Sequence, residues 1–145
     1  MNLFVQSPDP YISAAMLDNK RVVKMTVETV QLLSTAMHLN GATTTPYKPT
    51  HPHHPVTLWC ARSRGNYLWA LEHLRGLASE YTRRYGKIHK SSLYIPEVQE
   101  GALWIPDGVL QPFVNCARNK DKGVDFTHIQ DVHLAYRLYL QERNK

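Results

Sequence analysis

The stretch from His54 to Lys90, HPVTLWCARSRGNYLWALEHLRGLASEYTRRYGKIHK, constrains the fold more than any other part of the chain. Its spacing predicts one long helix with a basic tail. Pro55 suits the first helical position, where its missing N–H would have no intrahelical partner. Gly86 suits the residue just past the end, where a left-handed conformation costs glycine nothing. Tyr67, Leu71, Leu74, Ala78, Tyr81 and Tyr85 recur every three or four residues and form one apolar face. Trp59, Arg62, Asn66, Trp69 and His73 share a second face. Aromatics interleaved with Arg and Asn can stack on and hydrogen-bond an unstacked base. Tryptophans at helical spacing are more often part of a core.

Charge is concentrated on this segment. Residues 55–90 carry seven Lys/Arg against two acids, whereas the flanking segments are close to neutral, so the whole excess of +5 sits here. A concentrated basic face points to a polyanion such as DNA or a nucleotide, or serves only as a solvated surface. With 145 residues, 43% of them hydrophobic, the chain is long enough for one domain over 1–145 with its own core. It has no apolar run near the roughly 20 residues of a membrane span. MNLFVQSPDP has neither a basic start nor a long apolar stretch, so no secretory leader is expected. Cys60 and Cys116 read as reduced thiols in a cytoplasmic protein.

Ahead of this segment, Asp9 is placed to cap a helix starting at Pro10. The helical pattern then runs to Asn40-Gly41, with a possible break near Asp18-Asn19. Val23, Val27, Val30, Leu33 and Met37 form its expected core stripe, and Arg21, Lys24, Glu28, Gln31, Thr35 and His38 a polar one. Lys24 and Glu28 are either an ordinary exposed i,i+4 pair or part of a cleft wall. In the second case Glu28 is the only carboxylate among cations, available as a base. Residues 41–54 are a proline-rich connection. His51, His53 and His54 have no matching Cys or acid cluster nearby, so no metal site is assigned, and His54 is read as packing at the helix entrance.

Residues 91–116 read as irregular, because Pro96, Gly101, Pro106, Gly108 and Pro112 forbid a long element. Leu93, Ile95, Leu103, Trp104, Ile105 and Phe113 are the expected anchors. Asn119 to Asp125 is expected to be charged and mobile. A last helix is expected from Asp125 or Phe126 to about Asn144, burying Phe126, Ile129, Val132, Tyr136 and Tyr139 or Leu140. The fold class is therefore all-α, with about three main helices and a long loop before the last. No Gly-rich phosphate loop, Ser/His/Asp pattern or CxxC pair is present, and no cofactor is implied.

The segments LDNKRVVKMTVETVQLLSTA, YKPTHPHHPVTLW, NYLW, EYTRRYGKIHKS, IPDGVLQPFVNC and DVHLAYRLYL together resemble a family of small phage-encoded proteins, mostly of unassigned function. More distantly, His54-Pro55 before Leu58-Trp59, then Glu80, Arg83-Arg84-Tyr85 and His89-Lys90-Ser91, are similar to pyrimidine-dimer DNA glycosylases of the endonuclease V type. That resemblance implies attack on the sugar C1′ by the N-terminal α-amine, a Schiff base, and a first-helix glutamate beside an arginine. An α-amine suits the role, because a pKa of roughly 7.7–8.0 leaves a useful neutral fraction. Arg21 fits the arginine position, but Val22 stands where the glutamate is expected, and Glu28 is the nearest acid downstream.

The leading expectation is a glycosylase-like hydrolase acting on a damaged or modified base. Glu28 and Lys24 would be catalytic, Lys20, Arg21, Arg62, Asn66, Arg84, Lys87, His89 and Lys90 would hold phosphates, and Trp59 and Trp69 would stack on bases. The alternative is a non-catalytic phage module binding a nucleotide or nucleic acid, for instance in counter-defence. The two separate on whether Glu28, the N-terminus and Arg84 line one pocket.

Overall fold

A computed structural model describes residues 1–145 and contains six α-helices and one two-stranded sheet. The chain is mainly helical, but the three-helix arrangement is not what forms. The expected first helix divides into α1 (Pro10–Ala15) and α2 (Asn19–Leu39). Asp9 caps α1 by accepting the N–H groups of Tyr11 and Ile12 at 2.8 and 3.2 Å. The break falls at Met16–Asp18 because the carbonyls freed there find a partner elsewhere. Arg84 donates Nη1 to Leu17 O at 2.8 Å and Nη2 to Ala15 O at 3.1 Å. At the far end of α2, Gly41 turns the chain at φ +102°, and Asn40 Nδ2 donates to both Ala36 O and Ala61 O.

The long central helix is also two helices, α3 (Pro55–Arg62) and α4 (Arg64–Tyr85). Both predicted ends hold. His54 Nδ1 accepts Val56 N–H at the entrance, and Gly86 is left-handed at φ +70°. Between them Ser63 is extended, at φ −145° and ψ 138°. Distant backbone replaces the helical hydrogen bonds lost there: Arg64 N–H donates to Pro106 O and Gly65 N–H to Gly108 O, at 2.8 and 3.0 Å. Ser63 Oγ donates to Val109 O. A Cβ on Gly65 would lie 2.3 Å from Leu110 N, so only glycine lets the loop come this close.

Residues 91–116 are less irregular than expected. A 3₁₀ turn at Lys90–Tyr94 leads into α5 (Ile95–Gly101). Pro96 is accommodated because it sits in the first turn. Of the expected anchors, Ile105 is buried, whereas Leu93, Leu103 and Trp104 are exposed. Arg118–Asn119 (β1) and Val124–Asp125 (β2) pair antiparallel, so this charged segment is a small hairpin. The last helix, α6 (Val132–Arg143), begins later than predicted, because Asp131 accepts the N–H groups of His133 and Leu134.

The core centres on α4, against which α1 and α2 pack. Tyr67, Leu71 and Leu74 are fully buried, and Gly76 lets α1 approach until its Cβ position is 3.0 Å from Ala14 Cβ. On α2, Val30, Leu33 and Met37 are buried as predicted. Val23 is exposed and Val27 half-buried, because the buried arc runs through Val22 and Met25 instead. Their threonine neighbours remain buried by donating to carbonyls one turn back, Thr26 to Val22 O and Thr29 to Met25 O.

His73 joins α4 to α1 through a 3.0 Å hydrogen bond between Nδ1 and Pro10 O. Burial, opposed by that hydrogen bond, pulls its pKa down to about 4. The unfolded chain takes up this proton near pH 6.5, whereas the native protein does not until about 4. Stability is therefore complete above pH 6.5 and falls as pH drops toward 4. The loss is about 2 kcal/mol at pH 5. Urea unfolding of His73→Phe across this range should show a flatter pH dependence than the parent; an unchanged slope would remove His73 as its source.

Candidate functional site

Residues 1–5 run between α2 and α6, and a cleft of about 360 Å³ opens along them. The α2 wall supplies Asp18, Lys20, Arg21, Lys24, Met25 and Glu28, the N-terminal segment Met1, Asn2 and Phe4, and α6 with its end Arg143 and Asn144. Five cationic groups, including the Met1 amine, face two carboxylates, so the cleft favours an anion. Its volume is in the range of small-ligand pockets.

Glu28 holds the centre. Its Oε1 lies 4.0 Å from the Met1 amine and its Oε2 3.8 Å from Lys24 Nζ. Oε2 is buried yet accepts no hydrogen bond from any protein group. A buried carboxylate oxygen without a donor is costly unless something approaches it. The amine is too far for a direct hydrogen bond but near enough to exchange a proton through one intervening group. Sequence spacing brings Arg21, Lys24 and Glu28 to one face of α2, as expected for a cleft wall. Arg21 Nη1 donates to Asp18 Oδ1 at 3.0 Å and also to Asn144 Oδ1.

The opposite rim is aromatic. Phe4 has φ +51°, in the left-handed region that a bulky residue rarely occupies. Asn2 Oδ1 holds it there by accepting Phe4 N–H at 3.0 Å. Arg21 lies over the Phe4 ring, and Tyr139 stacks against the same ring with centroids 6.1 Å apart. A strained residue lining a charged cleft is a common accompaniment of function.

Several sequence-predicted site residues lie elsewhere, with structural partners. Trp59 and Trp69 are buried, donating their indole N–H groups to Pro112 O and Pro8 O. Extracting either side chain would forfeit about 3 kcal/mol or more, at least what stacking on one base returns. Asn66 is buried, donating to Trp59 O and Gln111 Oε1 and accepting Gln111 N–H. Arg84 is occupied by Glu80 and the end of α1, so it does not join Glu28 and the N-terminus. His89 caps the following turn by accepting Ser91 N–H, and its Nε2 donates to Val23 O. In these five side chains burial and internal hydrogen bonds engage the groups that a ligand would need.

Arg62, Lys87 and Lys90 are exposed outside the cleft, while Lys20 lies on its rim. Val22 is fully buried, so that position faces the core and not the cleft. His54 serves as a helix cap, and His51 Nδ1 pairs with Thr50 Oγ1; no three metal-ligating side chains converge. Burial pushes both Cys thiols up in pKa, which disfavours either as a nucleophile.

The family resemblance points to the N-terminus, but the sequence does not reveal Phe4, Arg143 or Asn144 as site residues. Their only local signal is the cation four residues after Tyr139, a spacing shared by many exposed helices.

A family model described as pyrimidine dimer DNA glycosylase matches residues 1–93. The match includes the N-terminal segment, all of α2 and Glu28, and excludes α5, the hairpin and α6. No curated protein and no solved structure matches the chain. No helix is long and apolar enough to cross a membrane.

Proposed function

Since the chain belongs to the pyrimidine dimer DNA glycosylase family, we propose that its cleft excises a damaged or modified base from DNA, with Glu28 and the N-terminal amine as the reacting pair. The observation carrying this reading is the Glu28 carboxylate in a basic cleft, with Oε1 4.0 Å from that amine and a buried Oε2 that accepts no hydrogen bond. The amine's lone pair attacks C1′, and the C1′–base bond breaks with its electrons leaving on the base. Glu28 accepts the amine's proton and stabilises positive charge developing on the sugar. The nitrogen lone pair then forms the C1′=N bond as C1′–O4′ breaks, and the proton held by Glu28 passes to O4′, giving a Schiff base to the chain. Lys24 and Lys20 hold flanking phosphates, and exposed Lys87 and Lys90 extend the backbone contact, so binding weakens with salt. The protein's setting, on this reading, is the cytoplasm of a phage-infected host, and the whole of 1–145 acts as one domain without a cofactor.

The test is borohydride trapping on duplexes carrying a panel of lesions and modified bases. A covalent adduct at the chain's first residue, with abasic product, is expected. Absence of both across the panel would reject the enzyme reading. The buried Val22 at the position of the family's glutamate favours one competing reading, a nucleotide- or DNA-binding counter-defence protein without chemistry. A bound ligand recovered chemically unchanged after denaturation would support that reading.

A further inference from the structure

The cations of the cleft are not equally available. Asp18 pairs with Arg21, and Glu28 pairs with Lys24. Lys20 is unpaired but exposed on a flexible stem. Arg143 differs from all three. It has no carboxylate within ion-pair distance, and it is half-buried in the cleft wall. Its Nη1 donates to Tyr139 Oη at 2.9 Å, and its guanidinium lies 5.8 Å from the Tyr139 ring centre. Tyr139 in turn stacks on Phe4, whose backbone is pinned by Asn2. This chain of contacts fixes the guanidinium at the cleft while using one of its five donors.

A positioned guanidinium with free donors and no internal counter-charge matches a phosphate, which it can grip through two parallel hydrogen bonds. We propose that Arg143, carried by α6 outside the family-matched residues 1–93, is a phosphate-binding residue of the cleft, gripping the DNA backbone next to the nucleotide that Glu28 and the amine engage. The inference rests on the cleft being the DNA site. It makes the C-terminal helix part of that site, with the Arg21–Asn144 hydrogen bond joining its end to the α2 wall.

The test measures binding of the full chain to a duplex containing a tetrahydrofuran abasic analogue, across a series of salt concentrations. Arg143→Gln should bind roughly tenfold more weakly at a fixed low salt concentration, and the slope of log K against log salt should be shallower by about 0.9. Arg143→Lys should keep the parent slope while losing part of the affinity, because the charge remains and the fork does not. A purely structural role for Arg143 would lower the melting temperature of both variants and leave the slope unchanged, and that result would overturn the inference. Excision retained by Arg143→Gln with an unchanged slope would remove Arg143 alone and leave the glycosylase reading intact. A parent chain that binds the duplex with an Arg143-dependent slope but never forms the borohydride adduct would remove the glycosylase reading instead.

Discussion

Glu28→Gln is expected to lower single-turnover base excision by roughly 10²–10⁴-fold, the usual worth of a positioned acid–base group. The substitution keeps size and shape while removing the charge that faces the amine at 4.0 Å and Lys24 at 3.8 Å. Duplex binding should be unchanged or slightly tighter, because one of the two carboxylates in a cationic cleft is neutralised. Melting temperature should barely move, since Glu28 makes no hydrogen bond that holds the fold together. Rate measured with saturating enzyme separates the outcomes. An unaltered rate would mean that Glu28 neither accepts the proton nor stabilises the sugar. A loss confined to binding would make it a docking residue instead.

Arg84→Ala is expected to cost about 3 kcal/mol, a fall of about 10 °C in melting temperature for a chain of this length. Arg84 is one of the few charged side chains largely withdrawn from solvent, 13% exposed against Glu80 at 14%. It donates to Glu80 Oε2, to the carbonyls of Ala15 and Leu17, and to Asn19 Oδ1. Removing it orphans the C-terminal carbonyls of α1 and takes one of two cationic partners from Glu80. Arg83 stays, donating to Glu80 at 2.8 Å, which keeps the cost below that of a wholly abandoned buried charge. Arg84→Lys should recover only part of the loss, because one ammonium cannot span the same acceptors. Thermal unfolding of the two variants provides the check. A shift below about 2 °C would mean that water satisfies the α1 end equally well.

The features legible in the sequence are those set by near neighbours. Asp9, Pro10, His54, Pro55 and Gly86 act within a turn of themselves, and each end they mark is where the helix begins or stops. The break at Ser63 was invisible because its replacement hydrogen bonds come from Pro106 and Gly108, more than 40 positions away. The same reason hid α5, where a proline in the first turn resembles a proline that forbids a helix. At the cleft, Glu28 stood out as a lone carboxylate among cations on one helical face. Its partner, the N-terminal amine, came from the family resemblance and not from any spacing, since only the folded chain brings residue 1 beside residue 28. Helical spacing gives Trp59, Asn66 and Trp69 a shared face but not the side of the molecule to which it points, and all three are buried. Their hydrogen bonds to Pro112, Gln111 and Pro8 decide that.

The extended Ser63 joint has a consequence for what can be cut from this protein. The stretch that carries the family likeness stops at residue 93, yet the acceptors for Arg64 N–H, Gly65 N–H and the Trp59 indole all come from residues 106–112. A severed 1–93 piece would carry three unanswered donors at its central joint and lose the α6 wall of its cleft. The inherited portion and the self-sufficient portion of this chain therefore have different boundaries. The later segment works as a splint, and any transplant of the reacting pair into another scaffold must bring the splint along.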